Sequence, residues 1–425
     1  MRGAPSPDKI DPFGPTFLSY RQSDGTELAT TVAWALRTMG LPVWRDIDDL
    51  PPGDTNTRLQ EAMSDGLSGA VLLVTQGVAQ STAIKEIEAP QLLRLHADPG
   101  FSFAIGNAIR REGAEEPDFG APDRLLTAPG DGASQGEVTG TLKDVKQYPL
   151  LRPRDETHLA RDLARRRMAA LRQVGGDTLE IEIRTRAQPT AAVRPSGLSI
   201  RTRPPEAGSR LPHPDSWEPF SALLADLPQL VEESGARNVK VGGGAHLSMA
   251  LALGTALPTP GGIDLAVMDG EGRLWRGSQD APSDPIEPEV LHSGADGPVA
   301  IAIDIVGSPT PIDTFLGHME SAGFGGAMRL GRVGTIQPEA GGGLIDDIAD
   351  QIKRFASAHS TTRVHLFLRV PFPVAVLLGR SLNTLEVTSY EWDDTVGPPQ
   401  YVPTLTLSSG HGGGPVRRIE VRGAP

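Results

Sequence analysis

Three consecutive glycines, Gly242, Gly243 and Gly244, stand just before His246 and Ser248, and 125 residues after Gly244 the chain reads Arg369-Val-Pro-Phe372-Pro. Glycines at a strand end let backbone N–H groups approach a phosphate closely, and an arginine adds charge for the same kind of ligand. The triplet also suits a plain tight turn, and spacing alone leaves both readings open. Other chemistries are missing. With no cysteine in the chain, disulfides, thiolate metal sites, iron–sulfur clusters and cysteine nucleophiles are excluded. Neither H-E-x-x-H nor G-x-x-x-x-G-K-[ST] occurs, so no metal site and no P-loop is indicated. The stretch 132–136, GASQG, matches G-x-S-x-G, but no strand leads into it and no helix follows.

The elements that must position these residues alternate along the chain. PTFLSY (15–20) is short, apolar and aromatic and predicts a buried strand. A helix capped by Ser23 or Asp24 follows, with Leu28, Val32, Ala35, Leu36 and Met39 on one face, stopped by Gly40. Leu41 to Trp44 reads as a strand, and a second helix carries Leu59, Ala62, Met63 and Leu67. GAVLLVT (69–75) is the continuous apolar run of a strand covered on both faces. Ser81 opens a helix that Pro90 kinks or divides, and FSFAI (101–105) is another strand. This is a parallel α/β unit. Residues 110–140 read as a polar surface loop. Across 142–175 nine Lys/Arg face four Asp/Glu, with Arg165, Arg166 and Arg167 in a row, which reads as a solvated basic linker helix.

The rest contains a two-fold repeat. At an offset of 125 residues, 239–257 falls on 364–382 without a gap. Val239/Val364, Ala250/Ala375, Leu253/Leu378, Gly254/Gly379 and Leu257/Leu382 are identical. Phe220, Leu223, Leu227 and Leu230 fall on Ile345, Ile348, Ile352 and Phe355, one helical stripe. Alternating strands precede and follow each half, so each half is a Rossmann-like unit. Two such units paired about a pseudo-two-fold axis present two similar ledges beyond their strand ends, at 242–248 and 369–373, suited to a ligand with repeated phosphates.

Lys plus Arg number 40 and Asp plus Glu 53, a formal net charge of −13. This argues against a protein that coats DNA or RNA. No apolar run reaches ~18 residues and the N-terminus lacks an apolar signal core, so the expected location is the cytoplasm, without membrane contact. The expected organisation is a tail (1–12), an α/β domain (13–145), the basic linker helix (146–175) and a repeat domain (176–425) with halves near 176–290 and 291–425.

The segments FLSYRQSDG, VWRDIDDLPPGD and STAIKEIEAP resemble, in order, the first box, the second strand with its BB loop, and the third box of a TIR domain, over roughly 13–145. That implies a flavodoxin-like fold. GGGAHLSMALALG, VHLFLRVPFPVAVLLGRSLN and the Tyr390–Trp392 stretch followed by QYVPTLTL resemble a SAVED domain, a fused pair of CARF-like halves. The whole chain is similar to TIR–SAVED effectors of bacterial cyclic-oligonucleotide (CBASS) antiphage defence. The resemblance implies a sensor for a cyclic oligonucleotide, often a trinucleotide. Ligand binding assembles the chain into a homo-oligomer or filament, and the assembled TIR domains cleave NAD⁺ to nicotinamide and ADP-ribose. NAD⁺ is then a substrate, and no cofactor is needed.

One carboxylate suits that reaction. Nicotinamide leaves a pyridinium as a neutral molecule, so no general acid is required, and a carboxylate can stabilise the oxocarbenium-like transition state and engage the ribose hydroxyls. The family's catalytic glutamate maps onto Glu86. Glu88 is its rival, about 200° around a helix, so both cannot face one cleft. The aromatic residue that many NAD⁺-cleaving TIR domains carry just before this glutamate is absent here. Ser19, Tyr20 and Arg21 close the first strand and are candidates for substrate binding with Trp44 and Asp46. Tyr20 and Trp44 equally suit core packing. For the cyclic nucleotide the candidates are Gly242, Gly243, Gly244, His246, Ser248, Arg369, Phe372 and Trp392, the last as a base-stacking platform. Alternatives are a non-catalytic sensor whose TIR domain only mediates assembly, and a TIR cyclase making cyclic ADP-ribose.

Overall fold

The computed structural model describes residues 9–44, 65–126, 141–186, 197–257, 262–277, 285–294, 296–305, 323–332, 334, 336–395, 399–410 and 412–421. The chain divides into two compact units, one of residues 1–176 with 193–200, the other of 177–192 with 201–425.

In the first unit β1 (Thr16–Ser19), α1 (Gln22–Thr38), β2 (Val43–Trp44), β3 (Gly69–Val74), a π-helical turn (Ile84–Glu88), α2 (Ala89–His96), β4 (Ser102–Asn107), α3 (Ala121–Leu126), β5 (Gln147–Pro149) and α4 (Asp155–Val174) follow one another. The sheet order is β2-β1-β3-β4-β5, with every neighbour parallel. This is the doubly wound, flavodoxin-like order, whose direction of winding reverses between β1 and β3. Every residue of β3 is buried, as its unbroken apolar run requires. Gly40 ends α1 at φ +88°, and a Cβ there would lie 2.8 Å from the Leu198 side chain. The expected cap is not used. The helix begins at Gln22 with Arg21 as N-cap, which places Ser23 and Asp24 inside the first turn. Leu67 lies beyond any helix, paired with Ile10 in an isolated bridge.

The segment expected as a linker belongs to the first unit. Residues 147–149 pair with β4 as its last strand, and α4 buries Leu159, Leu163, Met168 and Leu171. Arg167 is 2% exposed. Its guanidinium donates to the carbonyls of Gly14 (2.7 Å), Phe13 (3.0 Å) and Gly197 (3.0 Å) and to Ser68 Oγ (3.0 Å). Burial lowers its pKa to about 10. The triple-arginine run therefore hides a structural tie in what resembles a solvated face.

In the second unit the repeat is visible as fold. Its first half holds β6 (Thr178–Arg184), then β7 (Leu198–Arg201) where the chain crosses the division, α5 (Trp217–Ser234), β8 (Asn238–Gly244), α6 (Leu247–Thr255), β9 (Asp264–Met268) and β10 (Leu274–Arg276). The second holds β11 (Pro288–Ser293), β12 (Val299–Asp304), β13 (Gly326–Gly331), α7 (Gly341–Ala358), β14 (Arg363–Arg369), α8 (Phe372–Ser381), β15 (Glu386–Asp393), β16 (Gln400–Ser408) and β17 (Val416–Ile419). Strands β6, β8 and β9 are parallel neighbours, as are β12, β14 and β15. The second sheet runs β11-β13-β12-β14-β15-β16-β17. The 125-residue offset carries β8 onto β14 and the start of α6 onto the start of α8.

Helices α6 and α8 pack backbone to backbone. A Cβ on Gly254 would lie 1.8 Å from the Val376 carbonyl oxygen, and one on Gly379 2.0 Å from that of Leu251. Positions 251 and 376 are themselves repeat mates, so the contact is reciprocal and marks a pseudo-two-fold axis. Gly254→Ala or Gly379→Ala must separate the helices. Each is expected to cost about 3 kcal/mol of overpacking, read from the urea midpoint, and the pair less than additively, since both act at one crossing. Arg167→Met leaves three carbonyls without their donor and is expected to lose about 2–4 kcal/mol, seen by calorimetry as a lower-melting first transition.

Candidate functional site

A cleft of about 380 Å³ opens at the carboxyl end of β1, on the switch-point side of the sheet, where ligands of doubly wound folds sit. Ser19, Tyr20, Arg21 and Trp44 line it, together with Gln80, Ala83, Ile84 and Glu88. The structure thus gathers four of the five substrate-binding candidates. Asp46 lies outside the described residues, as does the GASQG stretch.

The carboxylate in the cleft is Glu88, not Glu86. Glu88 is 6% exposed, and Ser19 Oγ donates to its Oε2 at 2.5 Å. Glu86 is exposed and does not line the cleft. The local sequence explains the register. Pro90 sits in the first turn of α2. In a continuous α-helix its ring would crowd the carbonyl four residues back and leave that oxygen without a donor. The wider π turn over Ile84–Glu88 relieves that crowding. Ile84 and Glu88 then share the cleft-facing side and Glu86 falls opposite. A short motif with glutamates two apart does not reveal which one is buried.

The rim is rigidly tied. Arg21 Nη1 pairs with Asp24 Oδ1 at 3.2 Å, and its Nη2 donates to Gln80 Oε1 at 2.9 Å. The other Asp24 oxygen accepts from Gly77 N at 2.8 Å. A Cβ on Gly77 would fall 2.4 Å from Arg21 Nη1, so a larger residue there must displace the ends of the Arg21 and Asp24 side chains. Trp44 packs its ring on Phe17, centroids 5.3 Å apart, and is half-buried at the cleft.

In the second unit the first expected ledge is engaged by groups of the protein itself at the start of α6. Gly243 has φ +107°, and a Cβ there would lie 2.2 Å from the Ile183 carbonyl oxygen. Its glycine serves close approach to β6. Gly242 is buried against Met268, and Gly244 ends β8. His246, fully buried, is the N-cap of α6. Its backbone N donates to Thr185 Oγ1 at 2.8 Å, the same hydroxyl meets Nδ1 at 2.7 Å, and Nε2 meets the Arg210 carbonyl at 2.9 Å. These partners assign the neutral tautomer with its proton on Nε2. Ser248 is fully buried, and its backbone N and Oγ both donate to Glu391 Oε1 at 2.7 Å. A protein carboxylate therefore occupies the α6 N-terminus in place of the expected ligand phosphate. At α8, Pro371 and Pro373 remove two N–H donors beside the half-buried Phe372.

What the structure does assemble is an aromatic sheet face. By strand alternation His365, Phe367 and Arg369 of β14 share it with Tyr390 and Trp392 of β15. Phe367 stacks on Tyr390 at 4.2 Å, Tyr401 of β16 lies edge-on to Phe367 at 5.0 Å, and the half-buried Trp392 lies edge-on to Tyr401 at 5.0 Å. Arg369 is opposite Asp304 in the parallel register. No motif marks Phe367, Tyr401 or Asp304, although the period-two pattern of VHLFLR and SYEWD places Phe367 on one face with Tyr390 and Trp392, the first two buried there. Among the described residues no group of three His, Asp or Glu side chains can hold a metal, and no helix is long and apolar enough to cross a membrane.

Burial lowers the pKa of His246 to about 4, Arg186 adding to the effect. The unfolded chain takes up a proton near the ordinary value, about 6.5, while the folded one resists until about pH 4. The stability from a neutral His246 is complete above pH 6.5 and falls by up to about 3 kcal/mol as pH drops to 4. His246→Asn is expected to flatten the pH 7 to 5 dependence of the second unit's denaturation midpoint.

Residues 16–98 match the TIR domain model, and residues 223–407 match the SMODS-associated and fused to various effectors sensor domain, SAVED. No curated protein matches the chain. Among solved structures, the chain is similar to the Acinetobacter baumannii Cap4 SAVED/CARF-domain containing receptor with the cyclic trinucleotide 3′3′3′-cAAA. Identity is 16%, coverage 83% of this chain and 84% of that one, and the TM-score 0.44. The Moraxella osloensis Cap4 receptor aligns at 12% identity over 92% of this chain and 87% of its own, TM-score 0.41. A metazoan TIR-STING receptor from C. gigas aligns at 13% over 36% of this chain and 38% of its own, TM-score 0.25. The chain joins an N-terminal TIR domain to a C-terminal SAVED sensor domain.

Proposed function

We propose that this chain is a cyclic-oligonucleotide-activated NAD⁺ nucleosidase of antiphage defence, in which Glu88 is the catalytic carboxylate. The observation that carries this reading is the Ser19–Glu88 pair, a buried carboxylate held at 2.5 Å by a hydroxyl inside an open cleft. A structural carboxylate has no need of a cleft, and a solvated one has no need of burial.

The chemistry follows from the charges. The C–N bond between ribose and nicotinamide breaks with its electron pair going to the pyridine nitrogen, and nicotinamide departs neutral. Positive charge grows on the ribose carbon and ring oxygen. Glu88 opposes that charge in a site where low dielectric strengthens it. Water then adds to the carbon and its proton passes to solvent or to the carboxylate, giving ADP-ribose. Trp44 or Tyr20 offers the ring face that the segment before Glu88 lacks. Arg21, tied by Asp24 and Gln80, supplies the positive charge for the diphosphate in this reading.

The SAVED match and the face of Trp392, Tyr401 and Arg369 support a ligand with bases and phosphates. Base–aromatic stacking is worth ~1–3 kcal/mol per base. Activation by assembly into an oligomer is part of the same proposal.

The test is nicotinamide release from NAD⁺ with a panel of cyclic di- and trinucleotides, 3′3′3′-cAAA among them. Release is expected with at least one member. Glu88→Gln is expected to lower turnover by roughly 10²–10³-fold, while Glu86→Gln stays within about twofold, the range of a surface change. The reverse result would return the role to Glu86. Ligand-driven assembly without release by the unmodified chain would make the TIR domain a scaffold. Chromatography separates ADP-ribose from its cyclised form.

A further inference from the structure

Glu391 is a buried carboxylate that the nucleosidase mechanism does not use. It lies on β15 between Tyr390 and Trp392, which face the aromatic side of the sheet, so it faces the other side, toward the helices. There it receives Ser248 N and Ser248 Oγ, each at 2.7 Å. Ser248 belongs to α6 of the first half, whereas β15 belongs to the second. The register of β15 on β16 shifts between Ser389 and Tyr390, where β16 carries the extra residue, Thr404, and β15 runs on without interruption. A second tie runs in parallel. Asp394, just past β15, pairs with Arg210 Nη1 at 3.0 Å, and the Arg210 carbonyl accepts from His246 Nε2, the N-cap of the same helix. The end of β15 is thus fastened to the start of α6 twice, and Trp392 stands between the fastenings on the opposite face.

We propose that Glu391 is a positioning residue which makes Trp392 and the N-terminus of α6 one mechanical unit, so that a ligand pressing on Trp392 is felt at the α6–α8 crossing between the halves. The ligand part of this statement rests on the function proposed above. The coupling does not. A carboxylate at a helix N-terminus is stabilised by the unpaired N–H groups and the dipole there, and the bonds from Ser248 oppose in part the burial that raises the Glu391 pKa. Any displacement of β15 strains two bonds to α6, and any displacement of α6 withdraws the acceptor's partners and frees β15 to shift. Asp393 is also buried but folds back on Thr395, whose N and Oγ1 donate to it at 3.0 Å and 2.5 Å. It does not reach α6 by these bonds.

The experiment uses the full chain labelled with 5-fluorotryptophan, without ligand. Its five tryptophans give five ¹⁹F resonances, assigned by Trp→Phe substitution. Ser248→Ala, which does not touch Trp392, and Glu391→Leu, which cannot accept a hydrogen bond, are expected to move the Trp392 resonance by more than its linewidth. The Trp34 and Trp44 resonances stay in place. Glu391→Gln, which keeps an acceptor oxygen, is expected to restore the Trp392 signal toward its original position. A Trp392 resonance unchanged in Ser248→Ala overturns the coupling, and this variant decides the matter even where Glu391→Leu fails to fold. Calorimetry with 3′3′3′-cAAA tests the ligand separately. If the chain binds it, Ser248→Ala is expected to weaken binding by about tenfold, the loss of roughly one charged hydrogen bond, and unaltered affinity removes the role in sensing. If the chain binds no cyclic trinucleotide while the resonances still couple, the ligand reading falls and the positioning role stands.

Discussion

The second unit is organised by a contact that contains no side chain. At Gly254 and Gly379 the backbones of α6 and α8 meet so closely that a single methyl group would overlap a carbonyl oxygen. Interiors are packed too densely to absorb such an atom without moving an element. Everything joined to these helices inherits the constraint. The strands β8 and β14 lead directly into them, so the positions of their carboxyl ends are set by the crossing. Because the contact is reciprocal, a change in the tilt of one helix is imposed on the other. A pair of fused Rossmann-like halves could be joined by a large and forgiving apolar surface. Here it turns on two glycines, which leaves little freedom for the halves to move except together.

Buried charge is handled by the same economy in both units. Arg167 gives its hydrogen bonds to three carbonyls and a hydroxyl, with the Asp11 carboxylate acting on it by charge. Glu391 meets a backbone N–H and a hydroxyl, and Glu88 meets a hydroxyl. Isolated buried ions are costly unless their hydrogen-bonding capacity is met. Meeting it with backbone groups ties the ion to an element instead of to another flexible side chain. Arg167 fixes the entry to β1, whose far end carries Ser19. Glu391 fixes the exit of β15, beside Trp392. The charges act as fasteners at the strand ends from which candidate site residues project.

The repeat was legible in the sequence because the α6–α8 crossing demands the same small residue at the same place in each half, and the apolar stripes of α5 and α7 follow the same helical period. The parallel α/β order of the first unit was equally legible, since β3 is apolar throughout. The extent of that unit was not. A helix rich in arginine resembles a solvated linker until it is known that Arg167 points inward, and no periodicity marks an arginine as internal. The site was legible as a neighbourhood. Ser19, Tyr20, Arg21 and Trp44 do share a cleft, because a strand end and the next strand of a doubly wound sheet must adjoin. What meets the α6 N-terminus was hidden for a tertiary reason: the carboxylate there comes from 143 residues away, and local pattern carries no trace of it.

The positions of Glu86 and Glu88 show how a backbone irregularity bears on which side chain enters a cleft. A regular helix through 82–96 would place both glutamates by a fixed rotation, and no preference for either would follow from the sequence. Pro90 makes the regular helix unfavourable, because its ring and missing N–H disturb the preceding turn. The chain answers with one wide π turn, a rare single-turn irregularity within helices. The less favourable geometry persists because it brings Glu88 under Ser19, where a hydroxyl and a buried wall hold the carboxylate at one side of the cleft. A carboxylate so held need not be reorganised as positive charge develops opposite it, which is the property that makes electrostatic stabilisation effective. Pro90, two residues beyond Glu88, is in this sense part of what sets which glutamate enters the cleft.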